Sequence, residues 1–179
     1  MTAAPKPTRG GESLALFLAH ALQLESEAVE RYRELTDAMD AHNQPEVAKL
    51  FRDMSGYAVM QRDEIAAMAA ERGRLPKLHP WEFDWGGEAE SPEAADWDAA
   101  HYLMTPAHAL QAAVACERKA NRYYAGVAAT TPEAEVARLA QEFAQEEAGH
   151  AALLEKWLGR YPGPGEGWDD DPDPPNVSD

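Results

Sequence analysis

The chain has 179 residues, a length typical of one domain, and a formal net charge of −16 at pH 7. A negative charge of this size argues against nucleic acid and anionic membrane surfaces as partners. The single cysteine, Cys116, cannot form a disulfide or a thiolate cluster within one chain. No run approaches the roughly 18 continuous apolar residues of a membrane span, and no secretory signal is predicted, so we expect a cytoplasmic protein.

Two long amphipathic helices are predicted in the first half of the chain. Ser13 can cap the first helix, Pro45 suits the first turn of the second, and Gly73 can end it. Apolar residues recur at three- and four-residue steps, as one buried helix face requires. The stripe of the first helix is Leu14, Leu18, Ala21, Glu25, Ala28, Tyr32, Leu35 and Met39, and that of the second is Val47, Leu50, Met54, Ala58, Gln61, Ile65 and Met68.

A long connection and a second pair of helices follow. Residues 74–104 lack helical periodicity and contain several prolines and aromatic residues, with room for a short helix around Glu93 to His101. A connection of this length can carry the chain from one end of a bundle to the other, so that the second and third helices run parallel. Thr105-Pro106 opens the third helix, and Thr131-Pro132 opens the fourth, which extends to Trp157.

The two helix pairs repeat one another in sequence. Glu25-x6-Tyr32 in the first helix matches Glu117-x6-Tyr124 in the third, and the first turns of the second and fourth helices also match. Two such hairpins joined by a long crossover predict an all-α four-helix bundle with a pseudo-twofold axis.

The predicted bundle occupies residues 13–160, with its crossover at residues 74–104. Residues 1–12 are expected to be a flexible N-terminus. The tail at residues 161–179 is acidic and rich in proline and glycine, so it cannot bury enough apolar surface to order itself. We therefore predict that this tail is disordered.

Charged side chains interrupt the apolar stripes at equivalent places. Glu25, Glu117 and Glu147 lie where the pattern asks for an apolar residue, and His150 follows one turn after Glu147. A buried carboxylate without a partner is costly, so such a group is usually neutral or bound to a cation. Glu-x-x-His on one helix face is a spacing with which bundles hold metals, and these donors suit iron, manganese or zinc.

Together these motifs resemble those of rubrerythrin-type members of the ferritin-like superfamily, over about residues 14–158. The resemblance implies a ferritin-like bundle with a metal centre, expected to be iron with one or two ions per chain. The positions that match the family's ligands are Glu25, Glu117, Glu147 and His150. The resemblance also implies that Tyr32 and Tyr124 donate hydrogen bonds to ligand carboxylates. A homodimer and an external electron donor are further expectations from the family.

The second helix departs from the family pattern. When the two halves are aligned, Ala58 falls opposite Glu147, and Gln61 falls opposite His150. Alanine cannot bind a metal, and an amide is a poor substitute for an imidazole. Glu117, Glu147 and His150 could hold one metal, or the four predicted ligands could hold two metals loosely.

Two functional hypotheses follow. The leading hypothesis is a rubrerythrin-like metal-binding protein with an incomplete diiron site, acting as an oxidoreductase on peroxide, dioxygen or ferrous iron if it is an enzyme. The alternative is a non-enzymatic ferritin-like module with a degenerate metal site, which acts through oligomerisation or a protein partner. Bound metal and its stoichiometry distinguish the two.

Other polar residues are not assigned to the site. Five histidines follow no ligand spacing and are interpreted as surface or linker residues, namely His20, His42, His79, His101 and His108. Four residues lie off the predicted inner face of the second helix, namely Asp53, Tyr57, Asp63 and Glu64.

Overall fold

A computed structural model describes residues 9–88, 90–94 and 104–161. Within these residues the chain forms four long helices and two short 3-10 turns, and no strand. The helices are α1 (Leu14–Ala41), α2 (Pro45–Glu71), α3 (Pro106–Thr130) and α4 (Ala134–Leu158). The prediction of an all-α four-helix bundle is confirmed.

The predicted segments at the edges of the bundle lie mostly outside the described residues. These segments are the N-terminus before residue 9, the acidic tail after residue 161 and most of the short helix expected around Glu93 to His101. Their predicted states therefore stay predictions.

The helix ends follow the local signals in the sequence. The Ser13 side chain accepts a hydrogen bond from the backbone N–H of Leu16 at 3.2 Å and caps α1. Gly73, just past the end of α2, has φ of +97°, a left-handed conformation that glycine adopts without strain. Helix α4 begins at Ala134, two residues later than Pro132, with Glu133 at its N-cap.

Contacts between α2 and α4 establish the direction of the helices. Gln61 contacts Glu146, and further along α2 Arg72 pairs with Glu135. Residue numbers rise along α2 as they fall along α4, so these helices are antiparallel. Each hairpin, α1–α2 and α3–α4, is also antiparallel, because a short turn joins its helices. Helices α2 and α3 therefore run parallel, as the long crossover predicted.

Besides a small cluster of Ala28, Val29 and Ala58, the core of the described residues has two large apolar clusters that leave a polar layer between them. One cluster packs around Phe17 and Phe143, and the other around Phe51 and Leu154. Along α4, Glu147 falls between the residues of these two clusters and is itself buried. The polar stripe positions therefore meet in the middle of the bundle, shielded from water at both ends.

A buried histidine attaches the crossover to α1. His20 Nδ1 lies 2.8 Å from the carbonyl oxygen of Leu16, and His20 Nε2 accepts a hydrogen bond from the backbone N–H of Asp84 at 3.1 Å. The His20 ring also packs against Phe83 and Trp85 of the crossover. The interpretation of His20 and His108 as surface or linker residues was wrong, because both are buried.

Candidate metal centre

Three predicted ligands converge between α3 and α4. Ligand atoms of Glu117, Glu147 and His150 all lie within 4.8 Å of one another. His150 Nδ1 is 3.6 Å from Glu117 Oε2 and 3.4 Å from Glu147 Oε2. The convergence follows from local geometry, because residues three apart on α4 share a helix face and α3 packs directly against that face. Both carboxylates are buried, whereas the side chain of His150 is 23% exposed at the edge of the site.

Glu25, the fourth predicted ligand, is buried beside this group. It lies within hydrogen-bonding reach of Glu147 and is 3% exposed. Its Oε1 atom has no hydrogen-bond partner among the described residues. Glu25 does not belong to the group of three whose ligand atoms converge, so its role as a ligand stays a prediction.

The two tyrosines of the repeat are both buried but differ in their hydrogen bonds. The Tyr32 hydroxyl donates to Glu117 Oε1, so Tyr32 contacts a predicted ligand as the resemblance implied. The Tyr124 hydroxyl has no hydrogen-bond partner in the described part of the chain. Its position in the repeat corresponds to Tyr32, and its nearest charged groups include Glu25 and Glu147. The tyrosine hydroxyl of the first hairpin is thus hydrogen-bonded, whereas that of the second hairpin has no partner among the described residues.

An arginine and a glutamate that the sequence analysis did not select complete the site. Arg31 is 2% exposed; its Nε lies 2.6 Å from Glu93 Oε2, and its Nη2 lies 3.3 Å from Glu117 Oε1. Arg31 lies on α1 beside Tyr32, and Glu93 reaches the site from the crossover. Neither residue lies on an apolar stripe or in a repeated motif, so the sequence pattern contains no signal for them.

The buried carboxyl groups divide into one anion and its neutral neighbours. Burial by itself would raise the pKa of Glu117, but hydrogen bonds from Glu147 and His150 and the charge of Arg31 hold that pKa well below its usual range. Burial raises the pKa of Glu147, and its hydrogen bond to Glu117 raises it further. Burial also raises the pKa of Glu25. These opposite directions place the proton of the pair on Glu147, which donates a hydrogen bond to the Glu117 carboxylate.

Glu93 is also held near its neutral form. Burial raises its pKa to about 8, although the nearby charge of Arg31 lowers it. The 2.6 Å contact between Arg31 Nε and Glu93 Oε2 is an ion pair without hydrogen-bond geometry, so it lowers the pKa of Glu93 without cancelling the effect of burial.

Helix α2 contributes no convergent ligand to the site. Ala58 is buried against Ala28 and Val29. Gln61 donates a hydrogen bond to Glu146, a carboxylate outside the group of three.

Tyr57 has a contact that the sequence analysis missed. Its ring lies parallel to that of His150, with 6.1 Å between the ring centroids and 10° between the planes. Tyr57 is 47% exposed and the His150 side chain is 23% exposed, so this ring contact lies at the edge of the bundle. Tyr57 was excluded because the inner face of α2 was predicted from the apolar stripe of that helix alone, without its neighbouring helices.

The residues present are suited to hold one divalent cation. Two carboxylates and an imidazole are the donor set that iron, manganese and zinc accept. A buried carboxylate oxygen without a partner, Glu25 Oε1, indicates that the site has capacity for a further positive or hydrogen-bonding group. Glu117 can direct only Oε2 towards a metal in this arrangement, because its Oε1 already accepts hydrogen bonds from Tyr32 and Arg31.

Comparisons with known proteins agree with this fold. Residues 17–57 and 108–169 match the family Rubrerythrin. The unmatched interval between them begins at residue 58, where α2 lacks the expected ligands, and includes the crossover. No curated protein matches the chain.

A solved structure is similar along most of its length. It is the crystal structure, at 2.00 Å resolution, of an uncharacterized conserved protein from Magnetospirillum magnetotacticum MS-1. The two proteins are 43% identical with a TM-score of 0.70, and the match covers 86% of this chain and 98% of that one. With the family match spanning more than half of its residues, the chain belongs to the rubrerythrin family.

Proposed function

We propose that this protein binds one divalent metal ion per chain, with iron as the first candidate, through Glu117, Glu147 and His150. The observation that carries the proposal is the convergence of three ligand atoms within 4.8 Å of one another in the middle of the bundle. The raised pKa of Glu147 supports it, because a buried proton on a carboxyl group is what a metal ion displaces on binding.

A stoichiometry of one follows from the chemistry of the two hairpins. Ala58 and Gln61 offer no carboxylate or imidazole from α2, so a second ion would have fewer ligands than the first and would bind more weakly. Manganese and zinc accept the same donors as iron, so metal analysis must decide among the three.

An oxidoreductase acting on peroxide, dioxygen or ferrous iron is the activity that we propose for the iron-loaded protein. Bound iron would supply one electron for each change between its ferrous and ferric states. Reduction of peroxide to water takes two electrons, so a single iron requires an external electron donor for turnover. His150 supports access by a small oxidant, because its side chain is the partly exposed member of the ligand group. The expected homodimer is part of the proposal and is checked by light scattering.

A specific observation favours a second candidate, a non-enzymatic ferritin-like module that acts through a protein partner. Arg31 pairs with Glu93 and Glu117, and the other buried carboxyl groups have raised pKa values. The polar layer therefore reaches charge balance from protein groups alone, which a metal-free bundle needs.

Metal content per chain distinguishes the two candidates. The measurement is elemental analysis of protein purified without chelators or a histidine tag, before and after anaerobic loading with Fe²⁺. We expect about one equivalent in the wild type and almost none in a Glu147→Ala, His150→Ala variant. Gln61→Ala, at the position that corresponds to His150 in the other hairpin, is the matched control and should keep its metal. A wild type that stays metal-free after loading would refute the metal-binding proposal and leave the second candidate.

A further inference from the structure

We propose that Arg31 is a built-in cation that takes the place of a second metal ion and thereby limits the site to one metal per chain. This inference rests on the proposed metal-binding function and adds the residue that sets the stoichiometry.

Arg31 is held in a fixed position by contacts on three sides. Its Nε contacts Glu93 at 2.6 Å, its Nη2 contacts Glu117 at 3.3 Å, and its guanidinium carbon lies 4.2 Å from the centroid of the Tyr32 ring. A guanidinium group stays positively charged at all physiological pH values, so it cannot become neutral by releasing a proton. The buried layer therefore contains a permanent positive charge whose location does not depend on metal.

Arg31 can balance the charge of buried carboxylates in this layer, as a metal ion does in a metal centre. Four carboxyl groups, those of Glu25, Glu93, Glu117 and Glu147, are each no more than 3% exposed. Among the described residues, Arg31 is the only arginine or lysine that is buried. Buried carboxylates require a compensating cation, and a second divalent ion next to a fixed guanidinium would meet repulsion at short range.

Hydrogen bonds to Glu117 give the second argument. A carboxylate that bridges two metal ions needs a free lone pair on each oxygen. Glu117 Oε1 accepts from both Arg31 and Tyr32, which leaves Oε2, the oxygen on the His150 side, for a metal. While Arg31 is in place, Glu117 can serve one ion but not two.

The crossover makes this arrangement stable. Glu93 lies in the segment between the two hairpins, and its Oε2 lies 2.6 Å from Arg31 Nε. This ion pair gives the buried guanidinium a second carboxyl partner, so its charge does not depend on Glu117 alone. The absence of carboxylate or imidazole ligands on α2 and this ion pair together favour a single metal ion.

The test is titration of full-length protein with Zn²⁺, a redox-inert probe, followed by calorimetry and elemental analysis. Wild type should bind one equivalent, and Arg31→Met should bind two, because Glu117 Oε1 then regains a free lone pair and no fixed positive charge lies beside it. Arg31→Lys keeps the charge and should remain at one. Zn²⁺ should also raise the melting temperature of Arg31→Met by more than that of the wild type, since the metal supplies the missing charge.

Folding of the variants is controlled directly. Arg31→Met leaves Glu93 buried without its cation, so Arg31→Met with Glu93→Gln removes the guanidinium and its ionisable partner together and is expected to fold and to bind more than one equivalent. Helix content from circular dichroism accompanies each titration. One equivalent in both folded variants, or two in Arg31→Lys, would overturn the role of Arg31. A wild type that binds no Zn²⁺ would instead refute the proposed function, so the two failures are distinguishable.

Discussion

The hairpins α1–α2 and α3–α4 share one sequence repeat but place different chemistry on their inner faces. Hairpin α3–α4 brings together Glu117, Glu147 and His150. At the positions corresponding to the last two, hairpin α1–α2 has Ala58 and Gln61.

The backbone nonetheless keeps the symmetry of the repeat. His150 contacts Tyr57, and the corresponding pair in the other direction, Gln61 and Glu146, is also in contact. The difference teaches that helix packing depends on the spacing and shape of apolar residues, which both hairpins retain. Ligands can therefore disappear from one hairpin without loss of the fold, provided that the remaining buried carboxyl groups find another cation or hold their protons.

The largest effect is expected when equivalent carboxylates of the two hairpins are compared. Glu117→Gln should weaken metal binding by more than the roughly 10–100-fold that loss of a supporting partner costs, because it removes a converging ligand. Glu25→Gln should weaken binding by no more than that range, since Glu25 contacts the ligand Glu147 instead of joining the group. Competition with a chelator of known affinity measures both values. Equal losses would show that Glu25 is a full ligand.

The second comparison concerns the pH dependence of stability and Glu93, the buried carboxyl group that the crossover contributes. Burial raises the pKa of Glu93 from its ordinary value of 4.5 to about 8 in the folded protein. Between these values the folded state keeps a proton that the unfolded state has lost, so the stability of the metal-free protein should fall as pH rises from about 5 to about 8. One such proton changes the unfolding equilibrium by up to about tenfold per pH unit.

The raised pKa values of Glu25 and Glu147 act with the same sign as that of Glu93. The lowered pKa of Glu117 acts in the opposite direction, and only when the pH falls below about 4.5, the unfolded value. Urea unfolding from pH 5 to 8 tests the trend, and Glu93→Gln should make it shallower. A stability that rises with pH over this window would mean that these groups are ionised in the folded state.

The two tyrosines of the repeat should respond differently to loss of their hydroxyl groups. Tyr32→Phe removes a donor from the charged Glu117 and should lower the free energy of unfolding by about 1–3 kcal/mol. Tyr124→Phe removes a buried hydroxyl without a hydrogen-bond partner among the described residues, so it should be close to neutral or slightly stabilising. Denaturant unfolding of both variants makes the comparison. A large loss for Tyr124→Phe would reveal a bound water or ion at its hydroxyl.

The smallest effect is expected at the solvent edge of the site. Tyr57→Ala uncovers the ring of His150 and should speed transfer of the metal to a chelator by a few fold, on the order of 1 kcal/mol in the barrier. Tyr57→Phe keeps the ring and should behave as the wild type does. Stopped-flow measurement of metal release compares them. An unchanged rate in Tyr57→Ala would place the route of exchange elsewhere.

Most of the fold could be read from the sequence because its signals are local. The alternation of three- and four-residue steps from Leu14 to Met39 determines a helix and its buried face whatever surrounds it. Caps such as Ser13 mark where helices begin, and the repeat of Glu25-x6-Tyr32 at Glu117-x6-Tyr124 relates the hairpins. The exception is α4, which begins at Ala134 rather than at Pro132. Thr131 and Pro132 both favour the start of a helix, so together they do not specify which residue begins it.

The convergence of Glu117, Glu147 and His150 was predictable for the same reason, and its surroundings were not. Glu147 and His150 disturb an apolar stripe, which is a pattern within one helix. No apolar stripe is interrupted by Arg31, Glu93 or Tyr57. Their contacts arise only where different elements meet. His20 was misread for the same reason, since its burial depends on the crossover that covers it.

The sequence by itself therefore determined the four helices, their pairing and the three side chains that converge, because helical periodicity and ligand spacing are properties of single segments. Only the tertiary structure decided which charge balances the buried carboxyl groups. Charge balance depends on distances between segments, and Arg31 reaches Glu117 on α3 and Glu93 on the crossover only after the bundle has packed.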